Sequence, residues 1–330
     1  KPALIADETQ DYGADAALTE RFLQRLADRL DVDRQYVFPA YEDAFYYLWR
    51  ERRLPVNVDP FDARLEDPLE RERLARVFTQ GLDAVVGHVL PITRSFIHGR
   101  WQSGPWFLRS ERCYLVPGDS PLGYRLPLDS QPWVAKSEYP YVNSPDPTQH
   151  FPPLRAQAEL RRQMAARLEA LPDVEAGGFG AASFERWPQS KESAGWITRT
   201  AMSAQARQGV LYIFMPPTRC LEDYLELVAA VEATAEELVA PVILEGYEPP
   251  RDARLERFSV TPDPGVIEVN IQPCANWDAL VERTTHLYEA ARLSRLTTEK
   301  SMLDGRHAGA ARGTHFVLGA ATPHDPPFLR

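Results

Sequence analysis

Residues 210–245, VLYIFMPPTRCLEDYLELVAAVEATAEELVAPVILE, indicate the fold class of this chain. Val210–Met215 is an apolar run typical of a strand, and it is stopped by a Pro-Pro pair. The segment Leu221–Leu238 is rich in Glu and Ala and favours a helix. Residues 242–245 predict a buried strand that ends in a carboxylate. The stretch therefore predicts a strand, a helix and a second strand.

The segments that follow extend this pattern. Residues 266–271, VIEVNI, predict another strand, which ends before Pro273. Asn276 predicts the N-cap of a helix that runs to about Leu293. The order strand, helix, strand, strand, helix is typical of an α+β protein.

Many of the 29 prolines lie in the rest of the chain, where they interrupt helices and strands. Apolar residues at helical spacing predict helices near 17–30, 68–81 and 154–171, and residues 101–133 predict short strands and tight turns. We therefore divide the chain into a mixed N-terminal region at 1–135, a linker and helical insert at 136–195, and a core at 196–330.

Composition excludes several classes of protein. The 330 residues carry 37 Lys+Arg and 47 Asp+Glu, so the net charge of −10 disfavours a nucleic-acid partner. The chain lacks the ~18-residue apolar run of a membrane span, so we expect no membrane partner. Three cysteines without C-x-x-C spacing argue for a reducing cytoplasm. A start at Lys1 rather than Met suggests a piece of a longer polypeptide.

Familiar catalytic motifs are missing from the sequence. It has no G-x-x-x-x-G-K-[ST], G-x-G-x-x-G, G-x-S-x-G or H-E-x-x-H pattern, which removes the usual phosphate-loop enzymes, serine hydrolases and zincins. A cysteine nucleophile at Cys113 or Cys274 is one hypothesis for the chemistry of this chain, and a weak one. Each thiol lies in an apolar strand context that would raise its pKa.

A carboxylate and an amide alternate along the strand at 266–271. Ile267, Val269 and Ile271 form one apolar face, which helices would cover, and Glu268 and Asn270 lie on the opposite face. Oxygen ligands of this kind suit Mg²⁺ held together with substrate phosphates. The alternative is that these side chains form the solvent-facing half of an antiparallel sheet, and the strand alone favours that interpretation.

Two further features have a functional and a structural interpretation. Glu245 follows a wholly apolar strand, which marks either a site or the exit of the strand into solvent. Residues 303–315 combine glycines, two arginines and two histidines before a strand, and such a loop can hold phosphate. The alternative is an ordinary solvated surface loop.

Taken together, these segments resemble one family, the bacterial putative amidoligases, which have a catalytic domain like that of glutamine synthetase and are usually fused behind a transglutaminase-like domain. The resemblance begins with a Pro-Gly-x-x-Glu strand at 264–268 and a Gly-x-His strand start at 313–315. The other matching segments are 7–8, 39–43, 54–60, 118–121, 125–130, 245–247 and 299–307.

The resemblance implies a glutamine-synthetase-like antiparallel sheet with helices on one face, incomplete at its C-terminus. It also implies an ATP- and Mg²⁺-dependent ligase that joins a carboxylate of a peptide or small molecule to an amine through an acyl-phosphate, with a transglutaminase-like domain as partner in the same polypeptide. By this analogy the metal ligands are Glu245, Glu268, Asn270 and His315, and the catalytic residues are Glu268, His315 and Arg306. The nucleotide-binding residues are His307, Gly309, Arg312 and Gly313. The substrate contacts are Asp119, Ser120 and Arg125, and the alternative is that these three residues form a plain hairpin turn.

The chain departs from the family pattern in two places. The family loop HTGTGGGNH reads HAGAARGTH at 307–315, so that Ala311 and Arg312 replace glycines that tolerate positive φ. Gln205 also stands where a strand carboxylate is expected. These differences support an alternative function: an inactive relative that binds peptide or scaffolds the transglutaminase-like partner.

Overall fold

A computed structural model describes residues 1–51, 79, 81, 83–95, 99–108, 112–117, 123–139, 151–170, 186–263, 266–297, 300–302, 304–308 and 318–319. Contacts divide the chain into two compact units. The first unit comprises Lys1–Asn143 and Leu154–Pro250, and the second comprises Ser144–Pro153 and Arg251–Arg330. The three-part division at residues 135 and 195 remains a prediction.

The described residues form five α-helices and three short 3₁₀ turns. The helices are α1 (Ala16–Leu30), α2 (Ala44–Glu51), α3 (Gln157–Ala170), α4 (Leu221–Leu238) and α5 (Trp277–Leu293). The 3₁₀ turns are Pro2–Leu4, Arg34–Tyr36 and Leu128–Ser130. The helices predicted near 17–30, 154–171, 221–238 and 276–293 are thus confirmed. The helix predicted at 68–81 lies almost entirely outside the described residues.

Strands account for the rest of the regular structure. They are β1 (Phe38–Glu42), β2 (Val85–Pro91), β3 (Thr93–Arg94), β4 (Trp101–Gln102), β5 (Cys113–Pro117), β6 (Tyr124–Arg125), β7 (Ala201–Arg207), β8 (Val210–Met215), β9 (Val242–Gly246), β10 (Ser259–Asp263), β11 (Val266–Asn270), β12 (Lys300–Ser301) and β13 (His307–Ala308). The predicted strands at 210–215, 242–245 and 266–271 are confirmed.

The first unit contains a seven-stranded sheet in the order β6-β5-β1-β2-β7-β8-β9. Strand β5 runs parallel to β1, and β9 runs parallel to β8, whereas the other neighbours are antiparallel. The sheet is therefore mixed, whereas the family resemblance implied an antiparallel sheet. The reason is helix α4, which crosses over between β8 and β9 and returns the chain to the same end of the sheet.

Helices α1, α3 and α4 cover one face of this sheet. Leu26 of α1, Met164 of α3 and Leu227 of α4 belong to one buried cluster with Met202 and Ile213 of the sheet. Since side chains alternate along a strand, the residues between them point to the opposite face. We call this opposite side the open face. The mixed α/β architecture with helices on one face agrees with the sequence analysis, while the likeness to glutamine synthetase remains a prediction.

The second unit contains a hairpin and a helix. Strand β11 pairs antiparallel with β10, so that Thr261 lies opposite Glu268. Helix α5 begins as predicted, because the Asn276 side chain accepts a hydrogen bond from the Ala279 N–H at 2.9 Å. Helices were expected to cover the apolar face of β11, but among the described residues Ile267 and the following Ile271 are 45% and 39% exposed.

No helix within the described ranges has both the length and the apolar character that a bilayer crossing requires.

Candidate functional site

Strands β7, β8 and β9 place a polar cluster on the open face. Met202 and Ala204 of β7 point into the helix-covered core, so Gln205 and Arg207 point the other way. Gln205 lies opposite Tyr212 of β8, and Glu245 of β9 lies beside Phe214 of β8. We call Gln205, Arg207, Tyr212 and Glu245 the open-face cluster. The sequence analysis had selected Glu245 from this group.

An ion pair joins two members of the cluster. The Arg207 guanidinium donates to a carboxylate oxygen of Glu245. It lies 3.5 Å from the centroid of the Tyr212 ring, a cation–π contact. The side chains of Arg207 and Glu245 are only 18% and 9% exposed. Burial raises the pKa of Tyr212, which keeps its hydroxyl neutral. Glu245 is thus a largely desolvated carboxylate whose charge Arg207 balances.

Several buried atoms of the cluster have no hydrogen-bond partner among the described residues. Gln205 is 1% exposed, yet neither Nε2 nor Oε1 of its amide is bonded. Nε of Arg207 and Oε1 of Glu245 also lack partners. An unsatisfied buried group costs about 1–3 kcal/mol, so folded proteins rarely leave several of them together without a ligand or water. This concentration marks the open face as the candidate site.

Gly123 leaves space for the cluster. A Cβ added at Gly123 would overlap Nη1 of Arg207 and lie 2.6 Å from Oε1 of Gln205. Gly123 directly precedes β6, and three strands separate β6 from β7 in the sheet. The contact is possible only because the sheet curls and brings its edge over the open face. A glycine is needed here for close approach rather than for backbone conformation.

A second carboxylate lies on the open face. Glu42 of β1 is 4% exposed and accepts a hydrogen bond from the Tyr124 hydroxyl at 2.8 Å. Next to it Ala40, Val89 and Cys113 form part of an apolar cluster. The open face thus has a polar region and an apolar region, as small-molecule sites commonly do.

The predicted residues of the second unit are placed only in part. Asn270 donates from Nδ2 to Oε1 of Glu268 at 2.9 Å, so the two lie side by side on β11, as the alternation of the strand predicted. Glu268 is in the second unit and Glu245 in the first. Their convergence on one ion therefore remains a prediction.

The nucleotide loop and the substrate turn are described only at their ends. Arg306 is exposed and its Nε donates to Oδ2 of Asp304 at 2.7 Å. The backbone of His307 belongs to β13, and Arg125 is an exposed residue of β6. The remaining predicted residues lie outside the described part of the chain: Gly309, Arg312, Gly313, His315, Asp119 and Ser120.

The oxygen donors of the open-face cluster fit Mg²⁺ in chemical type. Oε1 of Glu245 and Oε1 of Gln205 are hard ligands with free lone pairs. The positive charge of Arg207 disfavours a cation beside these oxygens as long as Arg207 is paired with Glu245. No group of three or more His, Cys, Asp or Glu within the described residues is arranged to hold a metal ion.

The structure argues against Cys113 as a nucleophilic cysteine. This residue is 1% exposed, and burial raises the pKa of its thiol to about 12. A nucleophilic cysteine needs a lowered pKa and access to the substrate. Cys113 has neither property.

Sequence reasoning missed strand β7 and with it the main partner of Glu245. The signal was present in Ala201–Arg207, where Ser203, Gln205 and Arg207 alternate with small or apolar residues. Such alternation indicates a half-buried strand. The pairing of Arg207 with Glu245 had no local signal, because the two residues are 38 positions apart.

The first unit is thus a mixed α/β fold with a curled mixed sheet, helices on one face and a polar cluster on the other. The family model described as putative amidoligase enzyme (DUF2126) matches residues 1–330. The chain belongs to this amidoligase family. Searches of curated proteins and of solved structures returned no match.

Proposed function

We propose that this protein is a carboxylate–amine ligase that depends on ATP and Mg²⁺ and carries its acyl-transfer site on the open face of the seven-stranded sheet. Membership of the amidoligase family supports the reaction class. The single observation that carries the location is Glu245, a largely buried carboxylate with one unbonded oxygen that is paired with Arg207 in the open-face cluster.

The roles of the predicted residues follow from the family resemblance. Glu245, Glu268, Asn270 and His315 hold Mg²⁺, which when bound neutralises charge on the phosphate oxygens. Arg306, His307, Gly309, Arg312 and Gly313 contact the nucleotide. Asp119, Ser120 and Arg125 contact the substrate, a peptide or an amino-acid-like molecule.

The reaction balances as two transfers. The γ-phosphoryl group of ATP passes to a carboxylate oxygen of the substrate, and ADP leaves with the electrons of the broken bond. The amine nitrogen then attacks the acyl carbon, and phosphate leaves as the C–N bond forms. One proton of the amine is lost to a base or to water. Partial closure of the open face by the curled sheet limits hydrolysis of the acyl-phosphate.

The cellular context follows from the same proposal. Cys113, Cys220 and Cys274 are all free thiols, which fits a reducing compartment that also supplies ATP. We therefore place the ligase in the cytoplasm, in the same polypeptide as a transglutaminase-like domain.

Hydroxylamine trapping tests the reaction class. If an acyl-phosphate forms, hydroxylamine captures it as a hydroxamate when the protein is incubated with Mg²⁺, ATP and a mixture of carboxylates. Glu268→Gln should abolish hydroxamate formation. Glu282→Gln on the exposed part of α5 is the matched control and should leave it intact. Hydroxamate formed equally by both variants would contradict the role of Glu268.

A second function is favoured by the replaced glycines at Ala311 and Arg312. An inactive relative would bind peptide or scaffold its transglutaminase-like partner without using ATP. The double variant Ala311→Gly/Arg312→Gly separates the two cases. If it binds ATP strongly while the native chain does not, the chain is a degenerated enzyme. If neither binds ATP, the scaffold function is supported.

A further inference from the structure

We propose that a cavity at one end of the seven-stranded sheet binds a small aryl carboxylate, a molecule with a flat apolar ring and one carboxylate group. The cavity lies in the first unit, where the parallel strands β1 and β5 begin, and its volume is about 320 Å³. That volume corresponds to about ten water molecules at ~30 Å³ each, which is at the lower end of the range for small-molecule sites. The inference stands apart from the proposed ligase function, because that proposal uses none of the residues that line the cavity.

Aromatic rings form much of the cavity wall. Tyr36, Phe38, Tyr41 and Trp106 line it, and all four are half-buried, so each retains ring surface that a ligand can cover. The rings of Phe38 and Trp106 lie 5.8 Å apart and are tilted by 50°. The indole N–H of Trp106 donates to the Thr198 carbonyl at 2.7 Å, which fixes the orientation of this ring. The wall is therefore a preformed aromatic surface.

The remaining wall favours an apolar, flat ligand body. Leu108 and Cys113 are the most buried lining residues, at 7% and 1% exposure, and Pro39 and Pro105 add further apolar surface. A ring that enters beside Trp106 gains stacking or edge-to-face contacts beyond the apolar area that it buries. An aliphatic body of the same size would bury that area without gaining these contacts.

Arg112 brings a positive charge to the solvent side of the cavity. Its side chain is 45% exposed, and its guanidinium lies 4.8 Å from the centroid of the Tyr41 ring. It donates from Nη1 to Oδ1 of Asp83 at 2.6 Å. A guanidinium has five N–H donors in a planar fork, and this hydrogen bond uses one of them. Because the Asp83 side chain is 87% exposed, a ligand carboxylate can share or replace this pair at little cost.

The charge of Arg112 selects the headgroup of the ligand. Aromatic cages often bind quaternary ammonium groups, but here Arg112 already lies over the Tyr41 ring and would repel a second cation. A guanidinium fork binds phosphate as well as carboxylate. A phosphate dianion, however, would meet a single cation among the described lining residues of a chain with a net charge of −10. A carboxylate, with one negative charge, matches one fork.

The probe is phenylacetate, compared with three analogues that each change one property. Phenylacetamide keeps the shape without the charge, cyclohexylacetate keeps the charge without the aromatic ring, and phenylethylamine reverses the charge. The readout is the indole N–H resonance of Trp106 in ¹H–¹⁵N spectra of the full chain, assigned from its loss in Trp106→Phe. We expect phenylacetate to shift this resonance and to bind at least ~10-fold more tightly than phenylacetamide or phenylethylamine. Its advantage over cyclohexylacetate should be about 2–10-fold.

Two variants test the role of the charge. Arg112→Gln removes the fork, so phenylacetate and phenylacetamide should then bind equally. Arg25→Gln, at an arginine of α1 that is 54% exposed, is the matched control and should keep the preference for phenylacetate. Asp83→Asn removes the carboxylate that competes for Arg112 and should tighten phenylacetate binding by about 2–5-fold. The ligand series on the native protein keeps the test valid if Arg112→Gln fails to fold.

Some results would overturn the inference. Equal affinity of the native protein for phenylacetate and phenylacetamide would show that the carboxylate is not recognised. Tightest binding of phenylethylamine would make the cavity a cage for cations. An unmoved Trp106 resonance at millimolar phenylacetate, or shifts confined to the other tryptophans, would mean that the cavity takes no such ligand. Weaker binding by Asp83→Asn would contradict competition for Arg112.

Discussion

Arg207 of β7 reaches across the ring of Tyr212 on β8 to pair with Glu245 of β9, two strands away. The predicted metal ligand Glu245 is therefore held by a protein cation. A metal ion can use this carboxylate only by competing with Arg207. In the proposed metal site, the ion pair would therefore link the stability of the sheet to the binding of a metal ion.

Replacing Arg207 should separate these two effects. Arg207→Met leaves the Glu245 carboxylate buried without a counter-charge, so we expect the free energy of unfolding to fall by about 2 kcal/mol, below the 3–5 kcal/mol of a fully buried pair because Arg207 is partly exposed. Mn²⁺ affinity, measured by electron paramagnetic resonance, should rise because the competitor is gone. The control Arg292→Met breaks the exposed pair with Glu289 and should change neither quantity. Weaker Mn²⁺ binding by Arg207→Met would contradict competition for Glu245.

Removing the unpartnered amide should stabilise the ligand-free protein. Gln205→Met keeps the volume of the side chain and eliminates two buried polar atoms without partners. We expect the free energy of unfolding to rise by about 1–3 kcal/mol, measured by urea denaturation. A loss of stability would show that water already satisfies the amide in the native state.

Acidification should destabilise the first unit through His88 of β2. The Thr19 hydroxyl donates its hydrogen to the Ala16 carbonyl at 2.7 Å and lies 2.8 Å from Nδ1 of His88. Because that hydrogen is already used, the hydroxyl accepts a hydrogen bond from the Nδ1–H of a neutral imidazole. Burial lowers the pKa of His88 below 6.5, although Glu20, 4.0 Å from Nε2, opposes this shift. His88 therefore binds a proton more readily in the unfolded chain than in the folded chain.

The expected result is a free energy of unfolding that falls as the pH drops below about 6.5, the ordinary pKa of the imidazole. His88→Gln cannot titrate there and should show a flatter profile between neutral pH and pH 5. Profiles that are superimposable for the native protein and His88→Gln would remove His88 as the cause.

Alkylation should distinguish the three thiols. Burial raises the pKa of Cys113 to about 12 and removes it from solvent, so iodoacetamide should leave it unmodified in the folded protein at neutral pH. Cys220 and Cys274 are partly exposed and should react first. Peptide mass spectrometry after brief labelling measures the order. Early modification of Cys113 would mean that β5 opens readily.

The elements with local signals were predictable from the sequence. Val210–Met215 and Leu221–Leu238 have the periodicity and breakers of a strand and a helix, and Asn276 is a local cap. The mixed sheet was not predictable to the same degree, because the parallel pairing of β5 with β1 joins segments about 70 residues apart that have no recognisable crossover motif.

The residues of the candidate site also differ in whether the local sequence could identify them. Glu245 was identified because a carboxylate after an apolar strand is locally unusual. Arg207, Glu42 and Tyr124 were missed, because their significance depends on pairing across the sheet and on its curl. Gln205 was noticed only as the absence of an expected carboxylate. Its unpartnered, buried amide became visible only in three dimensions.

Our proposal requires this chain to bind Mg²⁺ and ATP through carboxylates that include Glu245 and Glu268. Isothermal titration calorimetry of Mg²⁺–ATP into the native protein tests it most directly, with Glu245→Ala, Glu268→Ala and the control Glu282→Ala alongside. We expect binding by the native protein and the control, and affinity at least ~10-fold weaker in the other two variants, which corresponds to about 1.4 kcal/mol. No heat from any of the four proteins, or equal affinity in all of them, would contradict it.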